Sequence, residues 1–269
     1  MNGQFSTRVI TLMPVAIAFN IVLGVTVQQV LKLPIYLDSI GTILVGVLAG
    51  PLAGALTGIL SNLIWQYAPG IGGGTIGPFA VTAGVIGLLA GLWGQLGVYR
   101  SRPASGNQLI VAAVIAALIV GVLVFPIFNN PAYTDPNIGG YPSWVFTAIV
   151  VIGVVVALAI AGFILVRKDL AGFYVAAAGA ITGIVAALVS APIAAYVFGG
   201  VTGSGVDVIV AALRQGGADV LSASVGQGLI SDPIDKTITS FVVFVIIASL
   251  SPRLLARFPN GERLTATAA

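Results

Sequence analysis

The sequence predicts an all-α fold: one polytopic integral membrane helical bundle with six to eight transmembrane segments. Three observations carry this. Only 7% of the 269 residues are charged and 58% are hydrophobic, with a mean hydropathy of +1.10. A soluble domain carries about 25% charged residues, so a water-facing surface cannot be built from this chain. Apolar runs recur at about the 20-residue length that crosses a ~30 Å hydrocarbon core, without the alternation of an outer-membrane barrel. Within those runs glycine and alanine return every fourth residue, which gives helix faces on which backbones approach closely.

In chain order, Arg8 precedes a first apolar stretch, 9–31, with Asn20 at its middle. It is long enough to remain as a spanning helix rather than a cleaved leader. Lys32-Leu33-Pro34 breaks it. Residues 33–70 then read as two short apolar helices joined at Gly50-Pro51. Gly46, Gly50, Gly54 and Gly58 lie on one face, and polar residues appear only at the outer ends. The arms are short for the ~30 Å core, so both a full crossing and a re-entrant pair are open. The turn-rich stretch 68–78 leads to a span over 79–98. A basic loop with Arg100 and Arg102 follows, then spans over 108–128 and 144–165, separated by a polar loop with Asp135. Residues 107–170 form an extra hairpin between a first helix group, 9–98, and a C-terminal group, 171–258, in one domain.

The seventh span, 171–197, carries Gly179, Gly183, Ala187 and Ala191 at four-residue spacing. In 199–232, Ser204-x-x-Asp207 reads as a capping box before a helix of about ten residues that ends at Gly216-Gly217. Asp232-Pro233 reads as an N-cap followed by proline at the first helical position, which starts the last span. On this reading Asp38, Asp232 and Asp235 all sit at helix ends.

Alternating the loops gives the orientation. Eight basic residues (Arg8, Arg100, Arg102, Arg167, Lys168, Arg253, Arg257, Arg263) fall on one side and three (Lys32, Arg214, Lys236) on the other. The positive-inside rule places the first set, and both termini, in the cytoplasm of a cell (bacterial plasma) membrane. Six of the seven aspartates fall on the outer side.

Several function classes drop out. There is no cysteine and no histidine, which removes thiolate chemistry, the Ser-His-Asp triad and the commonest transition-metal ligand. The glycine-rich stretches 71–77 and 199–205 lack Gly-Lys-Ser/Thr and read as turns, not phosphate loops. An enzyme is not expected, no cofactor or metal is called for, and the small positive charge implies no nucleic acid. What remains is an outer polar cluster: Tyr36, Asp38, Asn62, Trp65 and Gln66 from the hairpin, with Asp207, Gln227, Asp232 and Lys236 from the last third. Ionisable groups at membrane depth are costly and mark sites or pathways, and aromatic rings beside amides and carboxylates suit a small polar ring. Asp232 and Lys236, four apart, are placed to pair. The competing reading is interface decoration by Tyr and Trp with aspartate caps. The stripe Ala16, Asn20, Gly24 is either a face for a partner subunit or an internal contact in which Asn20 hydrogen-bonds within the bundle.

The stretch IYLDSIGTILVGVLAGPLAGALTGILSNLI resembles the early helices of the substrate-binding subunits (S components) of energy-coupling-factor (ECF) transporters. SAPIAAYVFGGVTGSGVDVIVAALRQGG, SDPIDKTITSFVVFVI and PRLLARFP resemble the C-terminal part of the same group. The resemblance implies a small membrane subunit that captures a vitamin-like micronutrient from outside. It further implies partnership with a transmembrane coupling protein and two ATPase subunits, and release by toppling in the bilayer. The group usually has six spanning helices where this chain has about eight segments, and Asn20 interrupts the alanine stripe the group uses for docking. Two other classes are a membrane sensor acting with a separate signalling protein, and an ion-coupled secondary transporter. The latter requires carboxylates at mid-span.

Overall fold

A computed structural model describes residues 3–31, 33–68, 75–129 and 144–265; within helices, the side chains of 120, 122–146 and 149 are not described. Lys32, the glycines at 72–74 and the loop 130–143 with Asp135 lie outside the described residues. Among the described residues the chain is helical and no strand forms. The order is α1 (Thr7–Gly24, continued by a π-turn over Val25–Val30), α2 (Ile40–Ala49), α3 (Pro51–Tyr67), α4 (Ala80–Gln95), α5 (Asn107–Asn129), α6 (Trp144–Arg167), α7 (Ala171–Phe198), α8 (Asp207–Gln215), α9 (Val220–Ser249), α10 (Pro252–Leu255) and α11 (Gly261–Thr265). Four helices are long and apolar enough to cross a membrane: Thr7–Val30, Gly77–Gln95, Val150–Arg167 and Ala171–Phe198. At 30 residues α9 is long enough as well, but its centre carries Asp232, Asp235 and Lys236.

Small residues decide how the helices meet. In the N-terminal group a Cβ on Gly87 of α4 would come 2.2 Å from the carbonyl carbon of Gly54 in α3, and one on Gly46 of α2 would sit 2.9 Å from the Gly87 oxygen. Gly50, with φ +115°, makes the sharp α2–α3 corner that a Cβ-bearing residue would strain. The stripe of α1 faces inward. Gly41 lies against the Ala16 backbone. Asn20 donates to Thr42 (2.9 Å) and Ser61 (3.0 Å), while its Oδ1 accepts from the Gly41 amide (2.7 Å). Asn20 therefore knots α1, α2 and α3, which is the internal alternative rather than a free docking face. The extra hairpin α5–α6 packs on α7 and α9 through Leu109, Ala112, Ala116, Ile160, Ile164, Ala176 and Phe241.

The C-terminal half is built on α7 against α9. Gly179 meets the backbone of Lys236 and Thr237, Gly183 meets Asp232 and Pro233, and Ala187 meets Gly228. This seam overturns the expected helix start at Asp232-Pro233. α9 begins thirteen residues earlier, at Val220, where Asp219 is the N-cap and accepts from the amides of Leu221 (2.9 Å) and Ser222 (3.0 Å). Pro233 lies inside the helix. A membrane helix tolerates proline where a neighbour accommodates the disturbed turn, and Gly183 supplies that room. Asp232, Asp235 and Lys236 are thereby moved from a helix end to the middle of α9.

The chain has a basic end and an opposite end. At the basic end Asn260 is buried and ties the segment after α10 to the last turn of α2, donating Nδ2 to the Val47 carbonyl (2.9 Å) and its amide to that of Leu48 (3.0 Å). Arg263 bonds the Gln95 carbonyl at the end of α4. Arg102 donates to the carbonyls of Gly97 and Val98, both at 2.8 Å, and lies over the Tyr174 ring. At the opposite end the two halves meet through Thr75, which donates to the Thr202 carbonyl (2.9 Å), and through stacked Phe79 and Phe198.

Candidate functional site

The site exists because α2 is short. Ten residues rise only ~15 Å, half of a ~30 Å hydrocarbon core. The irregular segment 33–39 must therefore descend between the helices to reach Ile40. Irregular backbone at that depth has to find partners inside the protein. Asp235, fully buried, provides them: its Oδ1 accepts from the amides of Tyr36 (3.0 Å) and Leu37 (2.8 Å). Leu37 holds φ +52°, a conformation costly for a side chain of its size, and the two bonds to Asp235 keep it there.

Lys236 sits beside this junction. Its Nζ donates to Asp235 Oδ2 at 2.6 Å and Ser39 Oγ at 2.8 Å, and lies 3.7 Å from Asp38 Oδ1. Asp38 also accepts from Gln28 Nε2 at 3.0 Å. Two of the three ammonium donors are thus hydrogen-bonded, and Asp38 adds an ion pair. The expected Asp232–Lys236 pair does not form; Lys236 turns to Asp235 and Asp38, because the descending segment brings Asp38 to its level.

Above this cluster, toward the end opposite the basic one, lies a cavity of about 100 Å³. At ~30 Å³ per water in the liquid it has room for about three water molecules. One wall is polar and comes from the 33–39 segment and α9: Tyr36, Asp38, Ser39, Gln227, Asp232 and Lys236. The other is mainly apolar and comes from α4 and α7: Phe79, Ala83, Ile86, Ala186 and Ala194. Thr75, Ile76, Thr202, Ser204 and Val206 bound it from the loops. Gln227 Nε2 donates to Ser231 (2.6 Å) and to the Tyr36 hydroxyl (3.1 Å).

Six of the nine residues read from the sequence thus surround one space: Tyr36, Asp38, Asn62, Gln227, Asp232 and Lys236. Three do not line it. Trp65 is buried against Gly24, Ile17 and Ile21, wedging α3 onto α1. Gln66 accepts from the Gly77 amide (2.8 Å) and holds the turn before α4. Asp207 accepts from the amides of Thr202 (3.0 Å) and Gly203 (2.7 Å) and from the Thr202 hydroxyl (2.8 Å), so it shapes the loop that roofs the cavity rather than touching it. The expected capping box gives way to this clamp, and Val206 takes the N-cap position of α8. Sequence reasoning missed Gln28, Ser39, Thr82 and Ser190. Gln28 and Thr82 lie inside apolar runs, and a polar residue inside such a run was the available signal. Asp235 was missed as the organiser of the site because it was placed in a first helical turn.

Among the described residues no group of three or more His, Cys, Asp or Glu side chains is placed to hold a metal ion. The chemistry available is recognition: hydrogen bonding and charge on one wall, apolar contact and a phenyl ring on the other. Compared with family profiles, curated proteins and solved structures, the chain matches none.

Proposed function

We propose that the chain is a substrate-binding membrane subunit of the ECF type, which captures a small vitamin-like molecule for uptake driven by a separate coupling protein and ATPase subunits. The observation that carries the reading is the cavity between the N-terminal helices and the α7–α9 pair. One side is polar and the other apolar, its floor is a buried charge cluster, and its roof is two loops. Buried ionisable groups around a concave space favour a binding site over packing alone. The basic residues gathered at the far end support a cytoplasmic side there, by the positive-inside rule. The cavity then lies toward the outer side, with α1 to α7 and α9 as the segments that cross or enter the membrane and both described chain ends inside. The S-component resemblance supplies the energy-coupling partners. The test is thermal stabilisation of the purified chain by a panel of vitamins and ring-bearing precursors, since a ligand that binds only the folded state raises its stability by mass action. A folded protein that responds to no compound refutes the reading.

One observation favours a second reading. Asp232 and Asp235 lie at the middle of α9, where an ion-coupled secondary transporter keeps its carboxylates. Uptake into liposomes by the isolated chain under a proton or sodium gradient, with no ATPase present, selects that reading over the first.

A further inference from the structure

The hydrogen-bond accounting around the cavity separates its charged groups, and the inference drawn from it rests on the binding-subunit reading above. Lys236 is engaged: it donates to Asp235 and Ser39 and lies 3.7 Å from Asp38. Asp235 is engaged as well, by two backbone amides and the ammonium. Asp38 has Gln28 and Lys236. Asp232 is the exception. It lines the cavity, is 4% exposed, and no lysine or arginine lies within ion-pair distance of it among the described residues. Its two neighbours are hydroxyls, Ser231 at 3.2 Å and Ser190 at 3.5 Å. Each hydroxyl has a single proton, and each lies equally near or nearer a helix carbonyl: Ser231 is 3.2 Å from Gln227 O, and Ser190 is 3.3 Å from Ala187 O. The carboxyl of Asp232 is therefore under-supplied with donors at a depth where that is costly.

Independent observations point into the same space. Thr82 lines the cavity, is 6% exposed, and its hydroxyl has no partner. The side-chain amide of Asn62, equally buried and also on the wall, makes no hydrogen bond with the described residues. Polar groups this deep are ordinarily bonded, so an occupant that completes them is the economical explanation. Phe79 and Ile86 complete the wall with apolar surface.

We infer that the occupant is a small cationic ring: a single aromatic or heteroaromatic ring bearing an ammonium, amidinium or protonated ring-amino group. The charged donor faces Asp232, the ring lies along Phe79 and Ile86, and a ring or substituent heteroatom meets Asn62 and Thr82. An anionic ring meets the carboxyl of Asp232, which has no cation at ion-pair distance among the described residues, while the Lys236 ammonium is already engaged by Asp235 and Ser39. Specificity arises as much from that rejection as from attraction.

Isothermal titration of the full-length protein in detergent with isosteric probes decides the matter. Benzamidine, benzylamine and 4-aminopyridine are the cations, benzamide the neutral control, and benzoate and nicotinate the anions. At least one cation is expected to bind at least tenfold more tightly than its anionic counterpart, and Asp232→Asn is expected to weaken that cation at least tenfold and to reduce its preference over that counterpart. Should Asp232→Asn fail to fold, the cation-to-anion ranking on the natural protein decides the charge of the occupant by itself. Preferential binding of benzoate or nicotinate overturns the charge assignment but leaves the binding-subunit reading intact. Absence of binding by every probe and by the vitamin panel overturns both.

Discussion

Lys236→Met tests the buried charge cluster most directly. The methionine keeps the length of the side chain and removes the one cation that, among the described residues, pairs with Asp38 and Asp235. Both carboxylates are then left at membrane depth with only neutral donors, Gln28 for Asp38 and two backbone amides for Asp235. Breaking a buried pair by deleting one partner costs about 3–5 kcal/mol, because the surviving charge is uncompensated. That corresponds to roughly two to four decades in the folding equilibrium. Neutralising the other partner as well, in Asp235→Asn/Lys236→Met, removes most of the penalty, since the asparagine Oδ1 still accepts from Tyr36 and Leu37. The assay is thermal or denaturant unfolding in a mild detergent, carried through the full cycle of two single variants and the double. The single Lys236→Met is expected to be the least stable of the four proteins, with a favourable coupling of about 1–3 kcal/mol between the two sites. If the double variant is no more stable than Lys236→Met, Asp235 and Lys236 are not energetically paired and the account of the 33–39 segment fails with it.

Other positions give independent checks. Gly183→Leu drives a side chain into the Asp232–Pro233 backbone, where even a Cβ would come within 2.4 Å; overpacking of this kind costs about 1–3 kcal/mol or more, and a crosslink between cysteines placed at Ala187 and Gly228 should lose efficiency in the variant. Asn260→Ala deletes the side-chain bond to the Val47 carbonyl, with an expected loss of about 0.5–1.5 kcal/mol, and limited proteolysis should cut the chain after Leu250 faster than in the parent. Asp219 is exposed, and the hydroxyl and amide of Ser222 hold its carboxyl below the usual range. Its folded value lies below its unfolded one, so its support for the first turn of α9 is present above the ordinary carboxylate pKa of ~3.9 and is lost as pH falls through the lower folded value. Hydrogen-exchange protection at Leu221 and Ser222 should fall over that acid range, and Asp219→Ala should show little protection there at any pH.

The seams of the bundle were legible in the sequence because they follow from spacing. Gly54 and Gly58 of α3, Gly87 and Gly91 of α4, and Gly179 and Gly183 of α7 recur at four-residue intervals that put each pair on one helix face, and a face without side chains can be filled only by another backbone. The Gly50-Pro51 corner, the short helix after Asp207 and its end at the Gly216-Gly217 pair are equally local. The start of α9 was not legible, because Asp-Pro is a strong local signal for a helix start. Asp219 offers the same cap without proline, and the room that Gly183 leaves for Pro233 is visible only once α7 and α9 are side by side. The same error hid the mid-helix position of Asp232 and Asp235, and with it the one feature that speaks for ion coupling. Trp65 and Gln66 were grouped with Asn62 because they follow it in sequence. Three residues apart on a helix, Asn62 and Trp65 are near neighbours on α3, and only the packing of α1 shows that Trp65 is taken up against Gly24 while Asn62 faces the cavity.

Composition and four-residue periodicity determined that this chain is a membrane helical bundle, where its helices lie apart from the start of α9, and which small-residue faces are available for packing, because those properties depend on residue type and local spacing alone. The tertiary structure decided the site. A ten-residue α2 cannot reach across the bundle, so the segment that carries Tyr36 and Asp38 sinks to the level of α9. There Asp235 is claimed by its backbone, Lys236 by its carboxylates, and Asp232 is left to face the cavity without a cation. Which of three aspartates is satisfied depends on contacts nearly two hundred residues apart in sequence, beyond the reach of any local pattern.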